Sequence, residues 1–126
     1  MAITFNTDRL QGLEGTAVTG VYGRIQSVTV KKYDAYSTTD EDGDVVNHAA
    51  SWQCLYDVVL HGSAVKRNAA GEYPAWGNRL NSRDIDHFTC TYDPTSNSNP
   101  YAQAYADLKT KLAAGGDPIA SSIADA

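Results

Sequence analysis

Cysteine is scarce in this sequence, where Cys54 and Cys90 are the only two among 126 residues. Two cysteines cannot build the disulfide framework of a small secreted domain, and a chain of this length can bury a core without such staples. Both cysteines fall inside strand-like segments. Each is therefore a buried thiol that packs as a small apolar group, or the two thiols pair across neighbouring strands, which requires Cα atoms about 4.4 to 6.8 Å apart.

Basic residues are also few: ten Lys and Arg stand against fifteen Asp and Glu, which gives a formal net charge of -5. No run of basic residues is longer than Lys31-Lys32. Affinity for nucleic acid comes largely from cations that neutralise phosphates, so this composition argues against a nucleic-acid partner. No apolar run approaches the roughly 18 residues of a membrane span, and no basic segment precedes an apolar one at the N-terminus. We expect no membrane partner and synthesis in the cytoplasm.

Catalytic motifs are absent from the sequence, which has no G-x-S-x-G elbow, P-loop or G-x-G-x-x-G segment. His48, His61 and His87 lie at no metal-ligand spacing from one another or from a cysteine. Asp84 and Asp86, with His87, are the residues that a small hydrolase would use, but nothing in the sequence indicates a pocket that would raise the pKa of one carboxyl. We therefore expect no enzyme and no cofactor.

One acidic segment invites a metal hypothesis, because Asp40, Asp42 and Asp44 alternate around a glycine. An EF-hand loop that began at Asp40 would need glycine at its sixth position and glutamate at its twelfth, where this chain has Val45 and Ser51. The calcium pattern fails. We interpret the segment as a solvated hairpin tip, with these three aspartates as the candidate metal ligands.

Alternating apolar residues predict strands over most of the first 93 residues. Neither parity of the longest run, 17–33, is wholly apolar, and Gly20 and Gly23 indicate a bulge or bend that switches the buried face. Asp42-Gly43 predicts the turn of a long hairpin. Two further strands are predicted at 51–61 and 84–92. Their inward faces share apolar side chains at every second position: Trp52, Cys54, Tyr56, Val58 and Leu60 in the first, Phe88, Cys90 and Tyr92 in the second.

A helix is predicted after the strands, with Asn99 as its N-cap, Pro100 at its first position and Gly115-Gly116 at its end. The helical spacing of four apolar residues predicts a core-facing stripe: Tyr101, Tyr105, Leu108 and Leu112. The fold class is then α+β, mainly β: an antiparallel sheet or small sandwich with a long hairpin and one C-terminal amphipathic helix packed on it. The predicted single domain, 1–126, divides into an N-terminal strand and arm at 1–15, a β body at 16–93, the helix at 99–114 and a tail at 115–126.

Apolar residues outside these elements are the candidates for contacts with other proteins, because large apolar groups are seldom left bare. They lie in the N-terminal arm, in a loop rich in glycine and proline, and in the tail: Leu10, Leu13, Tyr73, Trp76, Ile119 and Ile123. Trp52, Tyr73 and Trp76 support an alternative hypothesis, in which they form the stacking platform of a carbohydrate-binding module.

Four segments resemble a group of small virion proteins that are encoded beside tail and fibre genes in tailed bacteriophages. They are 22–32 (YGRIQSVTVKK), 54–60 (CLYDVVL), 88–94 (FTCTYDP) and 99–110 (NPYAQAYADLKT). In the last of these the relatives carry a similar Gln-Ala-Tyr followed two residues later by Leu-Lys-Thr. The relatives often end with an aromatic, acidic segment, whereas this chain ends with an Ala/Ser-rich tail.

The resemblance implies a structural component of a tailed-phage virion, made in the host cytoplasm, at the tail tip, baseplate or fibre attachment. Its expected partners are other phage tail or fibre proteins and copies of itself. A head decoration or cement protein is the alternative within the same particle. The motifs of the group are structural and carry no catalytic residues over to this chain.

Overall fold

The computed structural model describes residues 2–62 and 79–126, which form a mainly β fold with one helix. The elements follow in chain order: β1 Ile3–Thr7, β2 Val18–Tyr33, β3 Tyr36–Thr39, β4 Val45–His48, β5 Ser51–His61, β6 Arg79–Leu80, β7 His87–Thr91, α1 Pro100–Ala114 and β8 Ala124–Asp125. The predicted fold class is confirmed.

The main sheet is antiparallel, with strand order β6-β5-β2-β1-β8. β7 also pairs with β5, on the side where β6 lies: β6 pairs with Leu60 and His61, and β7 pairs with residues 53–57. The loop from β6 to β7 therefore lies along this edge of the sheet. β3 and β4 form a separate two-stranded sheet.

Helix α1 covers one face of the main sheet, against β2, β5 and β7. Asn99 caps it by accepting the N–H of Ala102 at 2.8 Å, and Gly116 follows its last turn with φ at 79°. Both ends are as the sequence predicted. The buried core joins this helix to the sheet and consists chiefly of Ile3, Phe5, Leu10, Val21, Ile25, Cys54, Tyr56, Val58, Leu60, Ile85, Ala104, Tyr105, Leu108, Leu112 and Ile119.

Strand β2 contains two extra residues relative to its neighbours. The first is opposite β1, where Phe5 pairs with Val21 and Thr7 pairs with Val18. One residue of β1 therefore lies opposite two residues of β2, and Gly20, one of these two, has φ at 66°. Against β5, Gln26 is the extra residue. The buried side of the strand consequently passes from Val18 to Val21, Gly23 and Ile25, and then to Val28 and Val30. The predicted bulge at Gly20 is confirmed, whereas Gly23 lies in a regular part of the ladder.

The prediction that Tyr101 belongs to the core is wrong: 46% of this residue is exposed. The buried face of α1 consists of Ala104, Tyr105, Leu108 and Leu112. The first turn of the helix instead adjoins the polar turn before it, which the Gln103 amide holds by donating to the carbonyls of Asp93 at 2.9 Å and Ser98 at 3.0 Å.

Leu10 is also misassigned as an interaction residue, because it is 1% exposed and belongs to the core. The N-terminal segment folds back on the domain: the Gln11 N–H donates to the Asn81 carbonyl at 2.8 Å, and the Arg9 guanidinium donates to the Gly115 carbonyl. Leu13 is 46% exposed and remains a candidate.

The tail is likewise part of the domain. Ile119 is 1% exposed, and Ile123 is partly buried against the core. β8 pairs with β1, and the Asn6 N–H donates to the Ser122 hydroxyl at 2.8 Å. These bonds fill the outer edge of β1 with the tail of the same chain, so the expectation that Ile119 contacts another protein is wrong.

Candidate functional site

The hairpin at Tyr36–His48, which we call the arm, is the part of the described structure that stands apart from the rest. Its strands β3 and β4 contact each other and no other described element. The ladder between β2 and β5 ends at Tyr33 and Ser51, and the arm begins beyond that break. A two-stranded hairpin is at best marginally stable alone in water, and both of its edges offer unpaired N–H and C=O groups.

The sequence builds a well-formed turn at the end of the arm. The Gly43 N–H donates to the Asp40 carbonyl at 3.1 Å, which closes a turn with Glu41 and Asp42 at its corners. Gly43 has φ at 81°, a conformation that favours glycine. The Asp40 carboxylate accepts the N–H of Asp42 at 3.0 Å and that of Asp44 at 2.8 Å. The predicted Asp42-Gly43 turn is confirmed.

Large apolar side chains are bare on the arm: Tyr36 is 57% exposed, Val45 68% and Val46 38%. The Tyr36 ring stacks on the His48 ring, with centroids 4.4 Å apart and planes 12° from parallel. The sequence predicts a solvated hairpin tip here, and these three residues are not among the predicted interaction residues. The available signal was the polar segment around them, which offers few apolar residues that could cover them.

The candidate metal ligands Asp40, Asp42 and Asp44 do come together, with carboxylate oxygens within 4.8 Å of one another. All three are exposed. Each offers one ligand atom, whereas calcium takes six to eight oxygens, and the Asp40 carboxylate already accepts two backbone hydrogen bonds. The group gathers negative charge at the end of the arm but is far from a complete ion cage.

The other hypotheses receive little geometric support. Trp52 is half-buried, with the Lys32 ammonium 5.8 Å from its ring centroid and Tyr92 at its edge, so its faces are not an open platform. Tyr73 and Trp76 lie outside the described residues. The Asp86 carboxylate contacts the His87 ring at 3.3 Å, but these side chains are 69% and 77% exposed, which leaves them in water rather than in a catalytic pocket.

A polar cluster fixes the helix on the sheet. The Tyr56 hydroxyl donates to the Asp107 carboxylate at 2.6 Å, and the Lys111 ammonium contacts the same oxygen at 2.5 Å and donates to the Thr89 carbonyl. Burial, and then the hydrogen bond to Asp107, raise the pKa of Tyr56 far above its usual range. Lys111 thereby covers part of the outer edge of β7. The cluster is a structural clamp between the helix and the sheet.

Cys54 and Cys90 lie directly opposite each other on β5 and β7, as the cross-strand hypothesis required, and both thiols are free. The Tyr92 N–H donates to the Trp52 carbonyl at 3.1 Å, so Trp52 and Tyr92 form a hydrogen-bonded pair. The pattern repeats every second residue, which makes Cys54 and Cys90 such a pair too. Their Cβ atoms are then about 5.5 Å apart, beyond the 3.5 to 4.5 Å of a disulfide.

We accordingly expect both thiols to stay reduced when the purified protein stands in air. Burial raises the pKa of both groups, to about 12 for Cys90, which leaves little of the reactive thiolate. Thiol titration after unfolding in denaturant should count two free groups, and the Cys90→Ser variant should count one. A count of zero in the unreduced wild-type protein would show that the strands can shift enough to form the bond.

Comparison with protein-family models, with curated protein sequences and with solved structures finds no match to this chain. Within residues 2–62 and 79–126, the helix is neither long nor apolar enough to cross a membrane. The arm is therefore the candidate functional site on its own geometry.

Proposed function

We propose that this protein is a structural component of a tailed-phage virion, at the tail tip, baseplate or fibre attachment, and that it works by protein–protein contacts through the arm. The observation that carries the proposal is the isolation of β3 and β4, which contact no other described element while they expose Tyr36, Val45 and Val46. A projecting hairpin of this kind gains stability when a partner covers its apolar side chains or pairs with its edges. The location in a phage virion is inferred from the resemblance of four segments to small virion proteins of tailed bacteriophages.

The tail and the N-terminal segment are less suited than the arm to contact other proteins. Both fold onto the body of their own chain, through Ile119 and Leu10. The arm thus becomes the principal projecting surface among the described residues. Assembly through one projecting hairpin requires neither a cofactor nor an enzymatic step.

The proposal predicts that polar substitution of the arm removes the protein from the particle. We expect Tyr36→Ser with Val45→Ser to lower its recovery in purified tails by about tenfold or more, because exposed aromatic anchors dominate binding at interfaces. Quantitative mass spectrometry of separated tails and capsids measures the recovery. Circular dichroism of the purified variant checks that the body remains folded.

Tyr101→Ser is the matched control, because Tyr101 is a similarly exposed aromatic residue on the helix rather than on the arm. Its recovery in tails should equal that of the wild-type protein. Wild-type recovery of the arm variant would contradict the proposed role of the arm. Recovery of the wild-type protein with heads alone would contradict the tail location and favour a decoration or cement protein.

A further inference from the structure

A cavity of about 230 Å³ lies at the edge of the main sheet, between the loop Asn81–Asp86 and strand β5. It forms because β6 and β7 pair with two separate parts of the same side of β5, so the loop that joins them leaves a space beside Val58 and Val59. Arg79 and Arg83 line it. The sequence carries no signal for this site, because the strand pairing that creates it is not local.

The walls of the cavity are fixed by hydrogen bonds and burial. The Asn81 carbonyl accepts the Gln11 N–H at 2.8 Å, and the Asp86 carbonyl accepts the Val58 N–H at 2.7 Å. Within the loop, Ser82 is 7% exposed and Ile85 is 3% exposed. The loop is thus anchored at both ends and in its middle, which holds the cavity open in a defined shape.

Carboxylates lie around this cavity without ion-pair contact to its arginines: Asp8, Glu14 and Asp84 border an adjoining pocket that Arg83 also lines. Among the described residues, no carboxylate lies within ion-pair distance of Arg79 or Arg83. Asp86 also lines the cavity, but its carboxylate contacts His87. Backbone hydrogen bonds from Glu14 and Gly12, and to a smaller extent the charge of Arg83, lower the pKa of Glu14. Guanidinium groups bind carboxylates in planar, two-pronged pairs, so a carboxylate is the ligand that fits here.

The same chain carries such carboxylates without cations. Asp40, Glu41, Asp42 and Asp44 form the acidic tip of the arm, and no described Lys or Arg pairs with them. Nine residues, most of them in strand β5, separate the arm from the part of β5 that lines the cavity, about 30 Å at roughly 3.3 Å per residue. The tip of the arm therefore does not reach the cavity of its own chain.

We infer that the acidic tip of one copy docks in the arginine cavity of the next copy. Glu41 and Asp42, at the corners of the turn, lead into the cavity, whose volume accommodates a carboxylate side chain. The tip and the cavity are different surfaces, so the contact is head-to-tail. Contacts of this type close into rings or extend as open chains. The inference rests on the proposed function and adds the partner surface that the arm recognises.

Two sets of neutral substitutions test the inference on the full chain. The tip variant carries Glu41→Gln and Asp42→Asn, and the cavity variant carries Arg79→Gln and Arg83→Gln. All four side chains are exposed, so the fold should survive, which circular dichroism checks. Light scattering over a concentration series measures association. We expect the wild-type protein to associate, more weakly as salt rises, and each variant to lose about tenfold or more in association constant.

A mixture of the two variants gives the sharper result. The tip variant keeps an intact cavity and the cavity variant keeps an intact tip, so the mixture should form one-to-one dimers and nothing larger. The matched control, Lys31→Gln with Lys32→Gln, removes two exposed positive charges elsewhere and should associate as the wild-type protein does. A wild-type protein that stays monomeric, a cavity variant that associates normally, or a mixture that remains monomeric would each overturn the inference.

The inference can fail while the proposed function stands. If the cavity variant enters purified tails at the wild-type level while the Tyr36→Ser and Val45→Ser variant does not, the arm binds a different protein and the arginine cavity is not its receptor. If both are lost from tails and the two-variant mixture dimerises, the inference and the function are supported together.

Discussion

Replacing Leu108 by alanine should lower the free energy of unfolding by about 3 kcal/mol, within the range of roughly 2 to 5 kcal/mol for buried leucines. Leu108 is fully buried at the centre of the face that α1 presents to the sheet. The loss combines the transfer energy of the deleted methyl groups with the cavity that they leave. Urea unfolding at neutral pH, followed by circular dichroism, measures the change.

The matched control is Tyr101→Ala, which deletes a larger side chain from the same helix. We expect a cost below about 1 kcal/mol, because Tyr101 is 46% exposed and alanine is the better helix former. Similar losses at the two positions would mean that the first turn of α1 packs on apolar surface after all.

Alkaline pH should destabilise the protein steeply. Cys54, Cys90 and Tyr56 all have raised pKa values in the folded state, chiefly because burial disfavours their charged forms. The unfolded chain therefore releases these protons first, the thiols near pH 9.0 and the phenol near pH 10.0. Stability is full below these values and falls as pH rises through them, by at most about 1.4 kcal/mol per pH unit for each group.

Two variants show which residue causes each part of this dependence of stability on pH. Cys90→Ser should make the profile less steep from about pH 9 up to about pH 12, and Tyr56→Phe should make it less steep above about pH 10. Tyr56→Phe also removes the hydrogen bond to Asp107, so a constant loss of about 0.5 to 1.5 kcal/mol is expected at every pH. A free energy of unfolding that stays level from pH 8 to 11 in the wild-type protein would contradict the assignment.

Local signals made the helix predictable at its ends and unpredictable along its face. Asn99, Pro100 and Gly116 act on their own neighbours, so their roles follow from sequence alone. Tyr101 and Tyr105 are equivalent by spacing, and what distinguishes them lies elsewhere: the Tyr105 hydroxyl accepts the Ile25 N–H at 2.9 Å, whereas a polar turn adjoins Tyr101.

The interaction surfaces were harder to predict, because exposure depends on distant parts of the chain. Leu10 and Leu13 have the same residue type and similar surroundings in sequence, but the bond between Gln11 and Asn81 turns the segment so that one is buried and the other exposed. The arginine cavity depends on β6, a strand of two residues at Arg79 and Leu80 that is too short to show periodicity. Sequence patterns report which elements form and seldom which edge each element joins.

The two bulges of β2 also govern how this strand can change in evolution. The inward-facing positions of the strand are 18, then 21, 23 and 25, then 28 and 30. At each bulge the buried positions change from even to odd numbers or back, so the positions that require apolar residues shift by one residue twice within the strand. Deleting Gln26 would restore one-to-one pairing with β5 and keep Val28 and Val30 on the buried side, whereas deleting Thr29 would turn Val30 to water and the charged Lys31 to the buried side. In an alignment with a related sequence, a gap of two residues in this strand keeps the buried and exposed positions matched. A gap of one residue keeps them matched only at the position of a bulge that the related strand lacks.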